Sequence, residues 1–132
     1  MPGLPLTPDE LACVTHVMGR IGCREDVVAA GPQALVDDWL AFVVRSEAGF
    51  ACARVTFLQD LSARTLLARL FLRLPPPLAT KLERTVAEAD FRYRSLTKRS
   101  AECVLPGRLA ARHDPARDFW LFGVPETVRF SE

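Results

Sequence analysis

Three consecutive prolines, Pro75-Pro76-Pro77, impose the firmest boundary in this sequence. Each proline removes a backbone N–H donor and biases the residue before it toward extended backbone, so no regular element continues through the triplet. The leucine-rich segment before it, residues 62–74, fits the period of a helix and that of a strand, and both remain open. The segment after it, residues 78–90, predicts a short helix. Its inward positions are Leu82, Val86 and Ala89.

The start of the chain predicts a helix with a defined N-terminus. Thr7-Pro8-Asp9-Glu10 is a capping box. In such a box the Thr7 hydroxyl accepts from the Glu10 amide, and the Glu10 carboxylate accepts from the Thr7 amide. Pro8 stands where no amide donor is needed. The helix is expected to run to about Met18, and Gly19 is expected to begin a loop.

Residues 35–58 leave two structures open. As a helix, the segment would begin at Pro32, end at Gly49 and bury one stripe. That stripe would be Leu35, Trp39, Phe42 and Val43. As a hairpin, residues 39–45 and 50–58 would pair across a turn at 46–49. The β-branched and aromatic content of both runs favours the hairpin.

Further strands are predicted at residues 91–94 and 118–124, with a turn at Pro106-Gly107. The 132 residues suit one domain, 1–132, whose core needs neither disulfides nor metal. We therefore expect an α+β fold. An N-terminal helix packs on an antiparallel sheet, which could close into a barrel, and a further helix is internal.

Targeting and cysteine patterns indicate a cytoplasmic protein. The first seven residues lack the basic start and apolar run of a signal peptide. Arg64, Arg69 and Arg73 interrupt the leucine-rich segment, so no membrane span is expected. The four cysteines are too few for a disulfide scaffold and are expected to stay reduced. They are Cys13, Cys23, Cys52 and Cys103.

The near-neutral net charge of +1 conceals an asymmetry along the chain. Residues 1–50 carry three basic and seven acidic residues (3 − 7 = −4), and residues 51–132 carry fourteen and nine (14 − 9 = +5). A dipolar surface suits a charged ligand or partner met on one side. No DNA partner is expected, although residues 59–66 could begin a recognition helix with Arg64 and Arg69 outward.

Metal binding and catalysis have little support in the sequence. Cys13, His16 and Cys23 are close in sequence, but structural zinc sites use two compact ligand pairs, so no metal and no cofactor are expected. The sequence has neither a nucleophile elbow nor a glycine-rich phosphate loop, so we do not predict an enzyme. An enzyme whose site is assembled from dispersed residues stays open as a third class.

Two short motifs resemble those of the PilZ domain, the bacterial receptor for cyclic di-GMP. The sequence has Arg20-x-x-x-Arg24 and, later, Asp60-x-Ser62, with Thr65 where the family motif has glycine. The resemblance implies that Arg20 and Arg24 neutralise phosphates and stack on guanine. It also implies that Asp60 and Ser62 hydrogen-bond a base edge.

Two functions therefore remain open. The first is a non-enzymatic regulatory binding module, a degenerate PilZ-like receptor that would take cyclic di-GMP. The alternative is a small bacterial adaptor or immunity-type protein that covers a protein partner with its charged surface near Asp37 and Asp38. Any exposed aromatics would contribute to such a surface. The candidates are Trp39, Phe119, Trp120 and Phe122. Barrel strands over residues 62–90 would favour the first function, and two packed helices the second.

Overall fold

Four α-helices make up most of the chain in the computed structural model, which describes residues 4–97, 103–105, 112–114 and 117–131. The elements in chain order are α1 (Pro8–Arg20), α2 (Glu25–Ala48), β1 (Phe50–Cys52), α3 (Arg54–Arg73), α4 (Pro76–Leu96), a 3₁₀ turn (Phe119–Leu121) and β2 (Val128–Phe130). The expected antiparallel, barrel-like sheet is wrong. Within the described ranges the named strands form one parallel pair, β1 with β2.

The capping box at the start of α1 is confirmed. The Glu10 amide donates to Thr7 Oγ1 at 3.2 Å, and the Thr7 amide donates to Glu10 Oε1 at 2.9 Å. The helix buries Val14 and Met18 and continues two residues past the expected end, to Arg20. This end of the fold follows from local interactions, which sequence patterns capture well.

The predicted hairpin over residues 39–58 is wrong, and the helical alternative holds instead. The proposed stripe, Leu35, Trp39, Phe42 and Val43, is buried along one face of α2. Gly31, with a φ of 81°, interrupts the helical geometry just before Pro32, so the proline stands at the start of a second helical stretch. Gly49 ends α2 with a φ of 87°. Packing of an apolar stripe at helical spacing outweighs the β propensity of the individual residues.

The boundary at the proline triplet is confirmed. α3 ends at Arg73 and α4 begins at Pro76, so residues 62–74 and 78–90 are both helical. The strand expected at 91–94 is wrong, because α4 continues to Leu96 and buries Tyr93. The strand expected at 118–124 is also wrong, because the chain forms a 3₁₀ turn there. The turn predicted at 106–107 lies outside the described residues.

Helix α2 is the central element, because it packs against α1, α3 and α4. Among the described residues, α2 is long and apolar enough to cross a membrane. Core helices of soluble proteins often have the same length and composition. The buried stripe of α2 contributes to an aromatic cluster. Trp39 lies 5.0 Å from Tyr93, and Phe42 lies 5.8 Å from Phe57, between ring centroids. This cluster joins three helices around one core.

We predict opposite effects for alanine at two glycines. At Gly49 the φ of 87° and a contact of 3.2 Å between an added Cβ and the Thr127 carbonyl make Gly49→Ala unfavourable. The expected loss is about 1–2 kcal/mol of unfolding free energy. Gly19 lies within α1, and an added Cβ meets nothing within 4 Å. Gly19→Ala should therefore stabilise by about 0.5 kcal/mol in urea denaturation. Equal effects at both sites would contradict the assigned end of α2.

Candidate functional site

A cavity of about 510 Å³ lies between α3, α4 and residues 112, 113, 117, 118 and 120, and we call it the Arg64 cavity. Its volume is within the range of small-molecule sites. Apolar side chains form much of its wall: Ala68, Phe71, Leu72, Val86, Ala87 and Trp120. Polar and charged residues contribute the remainder: Arg64, Thr65, Arg69, Glu83, Asp90, Arg112, His113, Arg117 and Asp118.

A buried ion pair forms one part of this wall. Arg64 is 7% exposed, and its Nε and Nη2 donate to the two carboxylate oxygens of Asp90 at 2.9 Å each. Trp39 Nε1 donates to the same carboxylate, also at 2.9 Å. Asp90 on α4 therefore accepts hydrogen bonds from α2 and α3. A bidentate pair supported by a third donor compensates the cost of removing both charges from water.

Aromatic rings surround the rest of the Arg64 guanidinium. Its Cζ lies 4.3 Å from the ring centroid of Trp120, 5.6 Å from that of Phe71 and 5.7 Å from that of Phe119. Nη1 is buried and has no hydrogen-bond partner among the described residues. The positive charge at this edge is thus stabilised by ring faces rather than by an acceptor. Trp120 is oriented by its own Nε1, which donates to Thr65 Oγ1 at 2.9 Å.

The Asp118 carboxylate accepts several hydrogen bonds from residues on the third side of the cavity. Its Oδ2 accepts from Arg117 Nη2 at 3.0 Å and from the Asp114 amide at 3.1 Å, and it lies 3.0 Å from His113 Nδ1. Partial burial alone would raise the pKa of Asp118. The hydrogen bonds from Arg117, Asp114 and His113 outweigh burial and hold its pKa below the ordinary value. The charged carboxylate therefore fixes the positions of two wall residues, His113 and Arg117.

Hydrogen bonds already occupy two of the three carboxylates that line the cavity. Both Asp90 and Asp118 accept several charge-assisted hydrogen bonds, so neither carboxylate is available as a general base. The described lining residues include no serine or cysteine. Thr65 contributes a hydroxyl, but Trp120 Nε1 already donates to it, and it donates to the Leu61 carbonyl at 3.4 Å. The wall of the cavity presents apolar surface together with charged groups.

Sequence reasoning did not identify Arg64 or Asp90 as site residues. Arg64 follows Leu61 by three residues and precedes Leu67 by three, so it occupies a position of the buried stripe of α3. Asp90 stands four residues after Val86, beside the buried stripe of α4. An arginine in one apolar stripe and an aspartate beside another could have indicated a buried ion pair between the two helices. The recognition-helix alternative instead placed Arg64 outward, which the structure contradicts.

The cavities formed by the described residues do not bring together the four residues that carried the PilZ resemblance. Arg20 is exposed at the end of α1, and Arg24 is exposed and paired with Asp26 at 2.7 Å. Asp60 lies 3.6 Å from Arg45, and Ser62 Oγ donates to the Gln59 carbonyl at 2.6 Å. None of the four lines the Arg64 cavity or the two smaller cavities near the N-terminal segment.

The loop that carries Arg20 and Arg24 and the residues Asp60 and Ser62 also lie at different heights along α3. Arg69 donates to the Ile21 carbonyl, so this level of α3 is next to the loop between Arg20 and Arg24. Asp60 is nine residues earlier on the same helix, which corresponds to a rise of about 13 Å. The prediction that these residues bind cyclic di-GMP stays a prediction.

The remaining candidates differ in exposure. Asp38 is exposed and Asp37 accepts from Gln33, so an acidic surface is present on α2. Three of the four aromatics considered for a partner surface are buried: Trp39, Trp120 and Phe122. Over the described parts of the chain, no group of three or more His, Cys, Asp or Glu residues could hold a metal ion.

The buried ion pair Arg64–Asp90 and the exposed ion pair Arg24–Asp26 should differ strongly in their contribution to stability. Asp90→Asn leaves the Arg64 charge buried without its counter-ion, and we expect a loss of about 3–5 kcal/mol of unfolding free energy. Asp26→Asn, which breaks the exposed pair with Arg24, should have little effect. The double variant Arg64→Met/Asp90→Leu should recover much of the loss. Urea denaturation of the variants tests this, and an Asp90→Asn variant as stable as the parent protein would contradict it.

The lowered pKa of Asp118 predicts a specific acid sensitivity. Because the folded pKa lies below the ordinary value of 3.8, Asp118 stabilises the fold fully above about pH 4. This contribution is lost as pH falls through the folded pKa. The stability difference between the parent protein and Asp118→Asn should therefore be largest near pH 7 and shrink below pH 4. A difference in urea denaturation midpoints that is independent of pH would exclude a stabilising charge at Asp118.

Comparison with models of known protein families, with curated proteins and with solved structures finds no match to this chain.

Proposed function

We propose that the protein is a non-enzymatic binding module that holds a small molecule in the Arg64 cavity. One observation carries the proposal: a cavity of about 510 Å³, walled largely by apolar side chains, lies beside the buried ion pair of Arg64 and Asp90. Ligand sites commonly combine apolar walls with a few fixed polar groups.

The hydrogen bonds around the cavity support the same proposal. Arg64, Asp90 and Trp39 tie three helices together through one carboxylate, and the Asp118 hydrogen bonds hold the facing segment. A ligand would therefore enter a cavity that is largely formed before binding, which lowers the entropic cost of association. This arrangement fits a receptor or carrier.

Partly filling the cavity should weaken the binding of a neutral apolar dye. Nile red, whose fluorescence increases in apolar surroundings, is expected to bind the parent protein. Ala87 lies on the wall of the cavity at an exposed position of α4, so Ala87→Trp should weaken dye binding by about tenfold or more. Ala41→Trp places the same side chain on an exposed position of α2 that lines none of the described cavities, and should bind like the parent protein.

Two outcomes separate this proposal from its rivals. The double variant Arg20→Ala/Arg24→Ala should keep full dye binding, and cyclic di-GMP should not compete with the dye. If Nile red binds neither the parent protein nor the Ala41→Trp variant, the cavity proposal fails. The adaptor function then takes its place, since Leu72 and Phe91 are each 70% exposed and offer apolar surface to a protein partner.

A further inference from the structure

The charged groups of the Arg64 cavity are unequally paired. Four arginines line it against three carboxylates: Arg64, Arg69, Arg112 and Arg117 against Glu83, Asp90 and Asp118. Asp90 is used by Arg64, and Asp118 is used by Arg117. Two arginines and one glutamate remain on the wall.

The remaining arginines, Arg69 and Arg112, are both exposed, so they lie at the solvent side of the cavity. Among the residues that the structure describes, Arg69 contacts the Ile21 carbonyl and neither arginine forms an ion pair with a carboxylate. Glu83 also has no described ion-pair partner, so the unpaired groups sum to one positive charge.

The apolar part of the wall lies on the same two helices. Phe71 and Leu72 on α3 and Val86 and Ala87 on α4 face one cavity, with Trp120 as the facing aromatic ring. Apolar walls with a cationic, solvent-exposed rim complement a ligand that has an apolar body and an anionic end.

We propose that the ligand of the Arg64 cavity is an amphipathic anion, whose apolar chain or ring lies against Phe71, Val86 and Trp120. Its carboxylate or phosphate group is neutralised by Arg69 and Arg112. This inference rests on the proposed function and specifies the chemical class that the cavity selects. A neutral apolar molecule fills the same walls but leaves the rim charges unpaired, and a cationic one is repelled by them.

Calorimetric titration with four molecules of one chain length tests the ligand class directly. Decanoate and decyl phosphate, kept below their micellar concentrations, should bind about tenfold or more tightly than decanol. Decyltrimethylammonium should bind most weakly. Comparison of decanoate with decyl phosphate distinguishes a carboxylate ligand from a phosphate ligand. Raising the salt concentration should weaken the two anions and leave decanol unchanged.

Neutral substitutions identify the residues that recognise the anionic group. Arg69→Met and Arg112→Met should each reduce decanoate affinity by about three- to tenfold and leave decanol affinity unchanged. Arg69→Lys should restore part of the loss, which separates charge from packing. Arg84→Met, at an exposed α4 position outside the cavity, is the matched control and should change neither affinity. Thermal unfolding confirms that each variant is folded.

The failures of the two proposals are distinguishable. If decanol binds as tightly as decanoate while Nile red binding responds to Ala87→Trp, the cavity binds ligands but does not select anions, and the present inference is overturned. If none of the decyl compounds binds and Nile red does not bind either, the proposed function is wrong as well.

Discussion

The ion pair between Arg64 and Asp90 is the interaction on which the rest of the structure depends. It lies between α3 and α4, and its carboxylate also accepts from Trp39 on α2, so one charged group connects three helices. A buried guanidinium needs a hydrogen-bond acceptor, and its remaining surface needs groups that stabilise a positive charge. Asp90 supplies the acceptor, and Trp120 from the C-terminal segment supplies a ring face at 4.3 Å. The same charge therefore links α2, α3 and α4 to Trp120 of the C-terminal segment.

Much of the helical boundary structure could be predicted from sequence, because caps and breakers act locally. The Thr7 capping box, the proline triplet and the inward face of α4 are where the patterns placed them. The class of the fold could not be predicted in the same way. Residues 39–58 contain β-branched and aromatic residues that favour strands, yet the chain forms a helix that buries Trp39 and Phe42 completely. That burial comes from α3 and α4, which are distant in sequence.

The candidate site was harder to predict than the fold, because it depends on pairing between distant residues. Arg64 and Asp90 are 26 residues apart on different helices, and each resembles an ordinary surface charge when considered alone. Only their positions in or beside apolar stripes distinguish them. The motif comparison selected Arg20 and Asp60 instead, since their spacing resembles a known family. The cavity follows from the buried pair: its charged wall is fixed by that pair and its apolar wall by the facing sides of α3 and α4.

The central claim is that a ligand binds beside the Arg64–Asp90 pair, and NMR of the two tryptophan indole groups tests it most directly. Trp120 lines the cavity, whereas Trp39 is buried and does not line it. During a decanoate titration, the Trp120 Nε1–H resonance and the backbone amides of α3 and α4 around the cavity should shift in a saturable manner. The Arg20 and Arg24 amides should remain unchanged. Saturable shifts confined to Arg20, Arg24, Asp60 and Ser62, with an unchanged Trp120 resonance, would contradict the account.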